Sequence, residues 1–255
     1  MGKMDRLTYI GHATTLLRLE GVAILTDPML RGWLGPLRRQ GPRPNRELPQ
    51  TVDLVLISHL HRDHLDVRSL RRIPPTTPVV APRGASRWVS KGGAEKILEL
   101  GVGETVVVEG LELTAIRAVH DGYRDRERGT PIEPLGYLIR RAGRTVYFAG
   151  DTGLFPEMSE LGMVDLALLP VWGWGPSVGE GHLDPEEAAR AVELIRPRLV
   201  VPIHWGTFYP AGLRLLRPGP LREPPRDFAR LASRAAPDVE VRVVEPGGET
   251  ALEPR

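Results

Sequence analysis

Short apolar runs alternate along this chain with turn-rich polar stretches, and most of the runs have strand rather than helix spacing. Residues 7–19 and 22–26 predict two strands around a turn at Glu20-Gly21. Residues 52–57 (VDLVLI) form an almost unbroken apolar run, the pattern of a strand covered on both faces. Residues 79–81 predict another short strand. Residues 105–109 and 111–119 predict a hairpin around Gly110, and residues 135–140 and 145–149 predict a second one. Residues 165–171 and 199–204 are again buried-strand patterns, and Pro202 places the latter at an edge or where its ladder stops. Residues 239–244 predict the last strand.

Helical patterns are fewer. Residues 86–100 predict helical stretches interrupted at Gly92-Gly93. Asp184-Pro185-Glu186-Glu187 is a helix start, with an N-cap, a proline in the first position and acids in the first turn. That helix runs to about Arg196, and residues 227–236 predict another. Residues 27–50 are rich in Pro, Gly and Arg without periodicity, which predicts a long loop of the kind that carries function. Hairpins dominate each half, and no βαβ alternation with a glycine-rich phosphate loop is present. The expectation is stacked mixed sheets flanked by helices, in one domain over residues 1–255.

Composition narrows the chemistry. Cysteine is absent, which excludes disulfides, thiol nucleophiles and thiolate metal sites. Any metal is therefore held by His, Asp or Glu. The net charge is only +2, with acids interspersed among the bases, so no nucleic-acid partner is expected. No apolar run approaches the ~18 residues of a membrane helix. The first residues lead straight into a strand pattern with no signal or transit peptide, so a cytoplasmic location is expected.

The chemistry-bearing signal is Ser58-His59-Leu60-His61-Arg62-Asp63-His64-Leu65-Asp66, directly after a buried strand. In extended backbone His59 and His61 point the same way and can converge on one point. Asp63 and His64 lie where the chain must turn and can face a second point nearby. Three imidazoles and a carboxylate are costly to bury unless something satisfies them, and a divalent cation does so. His120, Asp151 and His204 each end a strand pattern, where loops gather into sites.

The order HxHxDH, a lone His, GDTG and a late His resembles the metallo-β-lactamase superfamily. GHAT at residues 11–14, TDP at 26–28, GHLDPEEAARAVEL at 181–194 and PIHWGTF at 202–208 resemble its branch of N-acyl-phosphatidylethanolamine phospholipase D and ascorbate-6-phosphate lactonase types. The resemblance implies an α+β, four-layer αββα sandwich with the site at one edge between the sheets. It implies two metals: one held by His59, His61 and His120, the other by Asp63, His64 and His204, with Asp151 bridging. All-N/O ligation suits Zn²⁺, with Mn²⁺ or Fe²⁺ as alternatives.

Two such cations can share a hydroxide as nucleophile. The expected activity is hydrolysis of a phosphodiester, with a lactonase or sugar-phosphate ester hydrolase as the alternative and an anionic small-molecule or lipid-like substrate in either case. A nuclease and a non-catalytic metal-binding protein are further alternatives. His61 and the absence of cysteine disfavour the di-iron redox relatives, which carry Glu at that position, and the thiolate-ligated β-lactamases.

By the same resemblance Asp63, Asp151 and His182 are the catalytic candidates. His182 would contact a substrate phosphate or protonate a leaving group; a local helix-start contact is its other reading. His12 reads as pocket lining, as support for a ligand, or as purely structural. Asp27 reads equally as an orienter of a ligand imidazole and as a turn residue before Pro28. Arg124, with Arg126 and Arg128, could meet a substrate anion or simply be solvated. Trp33, Leu34, Trp172 and Trp174 could form an apolar rim or pack in the core, and residues 171–181 could shape the substrate pocket. A homo-oligomer is a further expectation.

Overall fold

The computed structural model describes residues 4–124, 130–173 and 179–253. Its strands are β1 (Arg6–Gly11), β2 (Thr14–Leu19), β3 (Val22–Thr26), β4 (Trp33–Leu34), β5 (Leu37–Arg39), β6 (Leu54–Leu56), β7 (Val79–Pro82) and β8 (Ile97–Leu100). They continue with β9 (Thr105–Val108), β10 (Leu111–Arg117), β11 (Leu135–Arg141), β12 (Arg144–Phe148), β13 (Leu166–Pro170), β14 (Leu199–Ile203), β15 (Phe208–Pro210), β16 (Glu240–Val241) and β17 (Glu249–Ala251). The α-helices are α1 (Val67–Leu70), α2 (Ser86–Val89), α3 (Pro185–Ile195) and α4 (Glu223–Ala235).

Two seven-stranded mixed sheets stack face to face, in the orders β17-β1-β2-β3-β6-β7-β8 and β16-β14-β13-β12-β11-β10-β9. The period-2 pattern of the first sheet explains the layering. Leu7, Tyr9, Leu17, Ile24, Leu54, Leu56 and Val80 join the large core cluster with the second sheet. Their alternating neighbours Ile10, Leu16, Ala23, Leu25, Val55, Val79 and Ala81 face the other way, onto Leu70 of α1 and Val89 of α2. On the far side, Ala188 and Val192 of α3 and Phe228 and Ala232 of α4 cover the second sheet. The result is the αββα sandwich.

Several elements differ from the sequence reading. Residues 7–19 are two strands, because the chain reverses at His12-Ala13, with Gly11 at φ 124° and His12 at φ 61°. Side chains close this turn: Thr14 Oγ1 donates to Asp27 O (2.6 Å) and Thr26 Oγ1 donates to Ala13 O (2.8 Å). Residues 97–100 form β8, an edge strand on β7, where a helix was expected; pairing with the buried β7 overrides local propensity. The expected loop at 27–50 contains the β4–β5 hairpin, which pairs with β15 in a third, three-stranded sheet. The last predicted strand shrinks to β16, and β17 forms beyond it on β1. Pro202 sits where β16 has already ended, since β14 pairs with β16 only at Leu199 and Val200. Among the described residues, no helix is long and apolar enough to cross a membrane.

Candidate metal centre

The functional side chains lie just beyond the C-terminal ends of β6, β10, β12 and β14, with His12 beyond β1. They form two adjoining groups. His59, His61 and His120 bring one ligand atom each to a common point, and His12, Asp63, His64 and His204 do the same beside it, all within 4.8 Å of one another in each group. The His59 and His64 ring centroids are 4.0 Å apart, so the two groups share a wall. Asp151 adjoins both: its Oδ2 is 3.1 Å from His64 Nε2, 3.2 Å from His204 Nε2 and 3.6 Å from His182 Nε2, and its carboxylate forms a further group with His120 and His182 within 4.8 Å.

Hydrogen bonds on the far side of each ring set which nitrogen faces the site. Asp27, fully buried, accepts from the Ser58 backbone N–H (2.7 Å), from Ser58 Oγ (2.5 Å) and from His64 Nδ1 (2.7 Å). With its proton given to Asp27, Ser58 Oγ accepts from His59 Nδ1 (2.9 Å). His120 Nδ1 donates to Gly181 O (2.8 Å), and His204 Nδ1 donates to Trp172 O. The Nε2 atoms of His59, His64, His120 and His204 therefore face inward. His61 is turned the other way, with Nδ1 3.0 Å from His120 Nε2 and Nε2 3.9 Å from Asp121 Oδ2.

These residues fit divalent cations. His59 Nε2 and Asp151 Oδ1 are buried polar atoms with no hydrogen-bond partner, which a folded protein rarely tolerates without a ligand there. Their neighbours are imidazole nitrogens and carboxylate oxygens, a borderline-hard donor set.

The protonation pattern carries the same tension. Burial alone would raise the Asp151 carboxyl, but His204 and His64 outweigh it and hold it well below the usual carboxylate range. Burial pushes His64 down, yet Asp151, Asp63 and Asp27 pull it well above its ordinary value. Burial pushes His59 well below its ordinary value, with His64 and His120 adding to the shift. Burial also brings His120 down to about 4, against the pull of Asp151. It takes His12 down to about 3, helped by His204.

A stability consequence follows for the metal-free chain. Unfolded histidines take up protons near 6.5, whereas His120 does so only near 4 when folded. Below 6.5 the unfolded state then binds more protons, so stability falls as pH falls. His64 works in the opposite sense but is outnumbered by His12, His59 and His120. Calorimetry on chelator-treated protein should show the unfolding temperature dropping as the pH is lowered from about 7 to about 5. A flat profile would mean that the imidazoles are not buried together.

His12 Nε2 contacts Asp63 Oδ2 (2.8 Å), while its carbonyl accepts from His204 N–H (2.8 Å) and its own N–H donates to Thr207 Oγ1 (2.7 Å). It thus steadies two members of the second group at once. His182 stands at the open side, its ring centroid 4.6 Å from that of His120 and its Nδ1 donating to Glu180 O (3.3 Å).

Arg124 lies against the histidine loop. Its Nη1 donates to Leu60 O (2.6 Å) and Leu65 O (3.1 Å), and its guanidinium lies over Trp88. It braces the histidine loop from behind. Arg126, Arg128 and Trp174 lie outside the described residues, as does the middle of the 171–181 segment. Trp172 is in the core and Trp33 is on the surface.

Sequence reasoning gave no role to Ser58, Thr207, Asp121 or the carbonyls of Gly181 and Trp172. Adjacency to His59 and His120 was the available signal for Ser58 and Asp121; the others had none. Gly150 shows how tightly this floor is packed. Its φ is 62°, and a β-carbon there would lie 2.5 Å from Ser58 Cβ. Gly150→Ala should destabilise the protein by about 2 kcal/mol or more in denaturant unfolding, and weaken metal retention by displacing Ser58. Wild-type stability in that variant would contradict the packing.

A family model described as "Beta-lactamase superfamily domain" matches residues 23–205. The chain belongs to the metallo-β-lactamase superfamily, as a metal-dependent hydrolase. It is 35% identical to a UPF0173 metal-dependent hydrolase of Methanopyrus kandleri, over 95% of this chain and 97% of that one. It is 33% identical to the N-acyl-phosphatidylethanolamine-hydrolyzing phospholipase D 1 of Caenorhabditis elegans, over 80% of this chain and 64% of that longer protein. The structure of Igni18, a metallo hydrolase from Ignicoccus hospitalis, superposes with a TM-score of 0.73 at 28% identity, covering 99% of this chain and all of that one.

Proposed function

We propose that the chain hydrolyses phosphodiesters with a pair of divalent cations, Zn²⁺ by the donor set, with Mn²⁺ and Fe²⁺ as alternatives. His59, His61 and His120 would hold one, Asp63, His64 and His204 the other, and Asp151 would touch both. The observation that carries a two-ion reading is Asp151 adjoining two complete donor groups. Cations held there supply Lewis acidity toward a phosphoryl oxygen and lower the pKa of water.

The chain's own groups do the rest. Asp27, Gly181 O and Trp172 O hold the Nδ1 protons of His64, His120 and His204, so each Nε2 is turned inward before anything binds. His182 donates Nδ1–H to Glu180 O, which leaves Nε2 as a base facing Asp151. Burial holds His182 below its ordinary pKa, so Nε2 is unprotonated at neutral pH. It can take a proton from the attacking water and return it to the leaving oxygen.

Support for the phosphodiester comes from the relative in Caenorhabditis elegans, whose name specifies a phospholipase D. The test is a panel of soluble phosphodiesters, phospholipids, lactones, sugar-phosphate esters and structured RNA, run on metal-loaded protein. Diester turnover is expected, with His182→Ala lowering kcat by about 100-fold while KM changes little. Turnover of lactones alone makes the site a lactonase, and turnover of RNA alone makes it a nuclease. No turnover with both metals bound makes it a non-catalytic binding site.

A further inference from the structure

The charge of this chain is nearly balanced overall and strongly unbalanced in one place. From Pro28 to Arg46 every charged residue is an arginine, and the same holds from Trp205 to Arg222. The third sheet brings these two segments together. Trp33 of β4 pairs with Arg38 of β5, Arg38 pairs with Tyr209 of β15, and Ala211 N–H donates to Pro36 O across the hairpin tip (3.4 Å).

Between them lies a cavity of about 520 Å³, lined by Trp33, Arg38, Arg43, Arg214 and Leu215 among others. Among the described residues, no ion pair neutralises Arg38, Arg43 or Arg214. The rim is apolar and bare: Leu215 is 88% exposed, Leu216 80% and Trp33 49%. Arg39 anchors the platform from inside, donating to Ile10 O (3.1 Å) and Arg31 O (3.0 Å) and lying over Phe208. Phe208 in turn reaches the His12 ring, 5.9 Å away, so the platform abuts the second donor group of the metal centre.

We propose that this face docks on an anionic lipid surface. Unpaired guanidiniums gain from a negative headgroup layer, a tryptophan suits the interface, and leucines gain only where acyl chain is within reach. The leucine pair argues against nucleic acid, which offers no apolar medium for it. An isologous contact with a second copy would set the same arginines against one another. The docking stands whatever ester the metal centre cleaves.

The test is co-sedimentation of the full, metal-loaded chain with vesicles of phosphatidylcholine alone and of phosphatidylcholine mixed with phosphatidylglycerol. Binding to the mixed vesicles only is expected, weakening with added salt. Leu215→Ser with Leu216→Ser should weaken it by about tenfold, and Arg38→Glu with Arg214→Glu should abolish it. Met163→Ser, an exposed apolar change elsewhere, should leave it unchanged. Metal content and unfolding temperature verify that each variant is folded. The proposal fails if neutral vesicles bind equally or if the leucine pair has no effect. It fails too if single-stranded RNA is preferred, or if the leucine variants instead turn a dimer into a monomer.

Discussion

Asp151→Ala is expected to purify with at most one bound divalent ion and to lose hydrolysis by more than about 100-fold, the upper end of what even outer partners of metal ligands cost. The carboxylate is 2% exposed and lies within 3.2 Å of both His64 Nε2 and His204 Nε2. It also forms a group with His120 and His182 whose ligand atoms lie within 4.8 Å of one another, so its loss takes a carboxylate from both donor sets. Removing it also strips the main counter-charge from His64, whose proton affinity Asp151 raises. That change by itself favours the neutral, ligating form of His64, so the loss of the second ion follows from the missing carboxylate oxygens and not from protonation of His64. Asp151→Asn separates the two effects, because it keeps the shape and removes the charge. Elemental analysis and turnover on the same preparations read both, and full metal content in the alanine variant would remove Asp151 from the bridging role.

Much of this centre was legible before the fold. Residues two apart on an extended segment must converge, so His59 and His61 were readable as a pair, and strand-end positions made His120, Asp151 and His204 candidates. What was not legible depends on chain segments far apart in sequence. Asp27 meets Ser58 and His64 only because β3 and β6 run parallel side by side. Nothing in the order of residues assigns Gly181 O to His120 or Trp172 O to His204.

The fold shows the same division. Buried runs such as residues 166–170 announced strands. The turn at Gly11-His12 escaped notice because it rests on positive φ and on threonine hydroxyls rather than on turn-forming dipeptides. Residues 97–100 read as helix because a strand at a sheet edge needs its partner to be seen.

Asp27→Ala should be the most damaging change among groups that touch no metal. It leaves the Ser58 N–H and the His64 Nδ1–H buried without acceptors, at about 1–3 kcal/mol each. It also frees His59, since Ser58 Oγ is held by Asp27. Unfolding free energy should drop by about 2–5 kcal/mol, and metal affinity by about 10–100-fold, measured by denaturant titration and chelator competition. Asp27 sits at φ 34°, a backbone region that Asn also tolerates, so Asp27→Asn retains the turn and isolates the loss of the carboxylate. An alanine variant as stable as the parent would show that the imidazoles are oriented by something else.

The most direct measurement is anomalous diffraction from crystals of the zinc-loaded protein. Two peaks are expected about 3.5–4 Å apart. One should lie against His59 Nε2, His61 Nδ1 and His120 Nε2, and the other against Asp63, His64 Nε2 and His204 Nε2, with Asp151 in contact with both. A single peak, or a pair placed away from Asp151, would contradict the account.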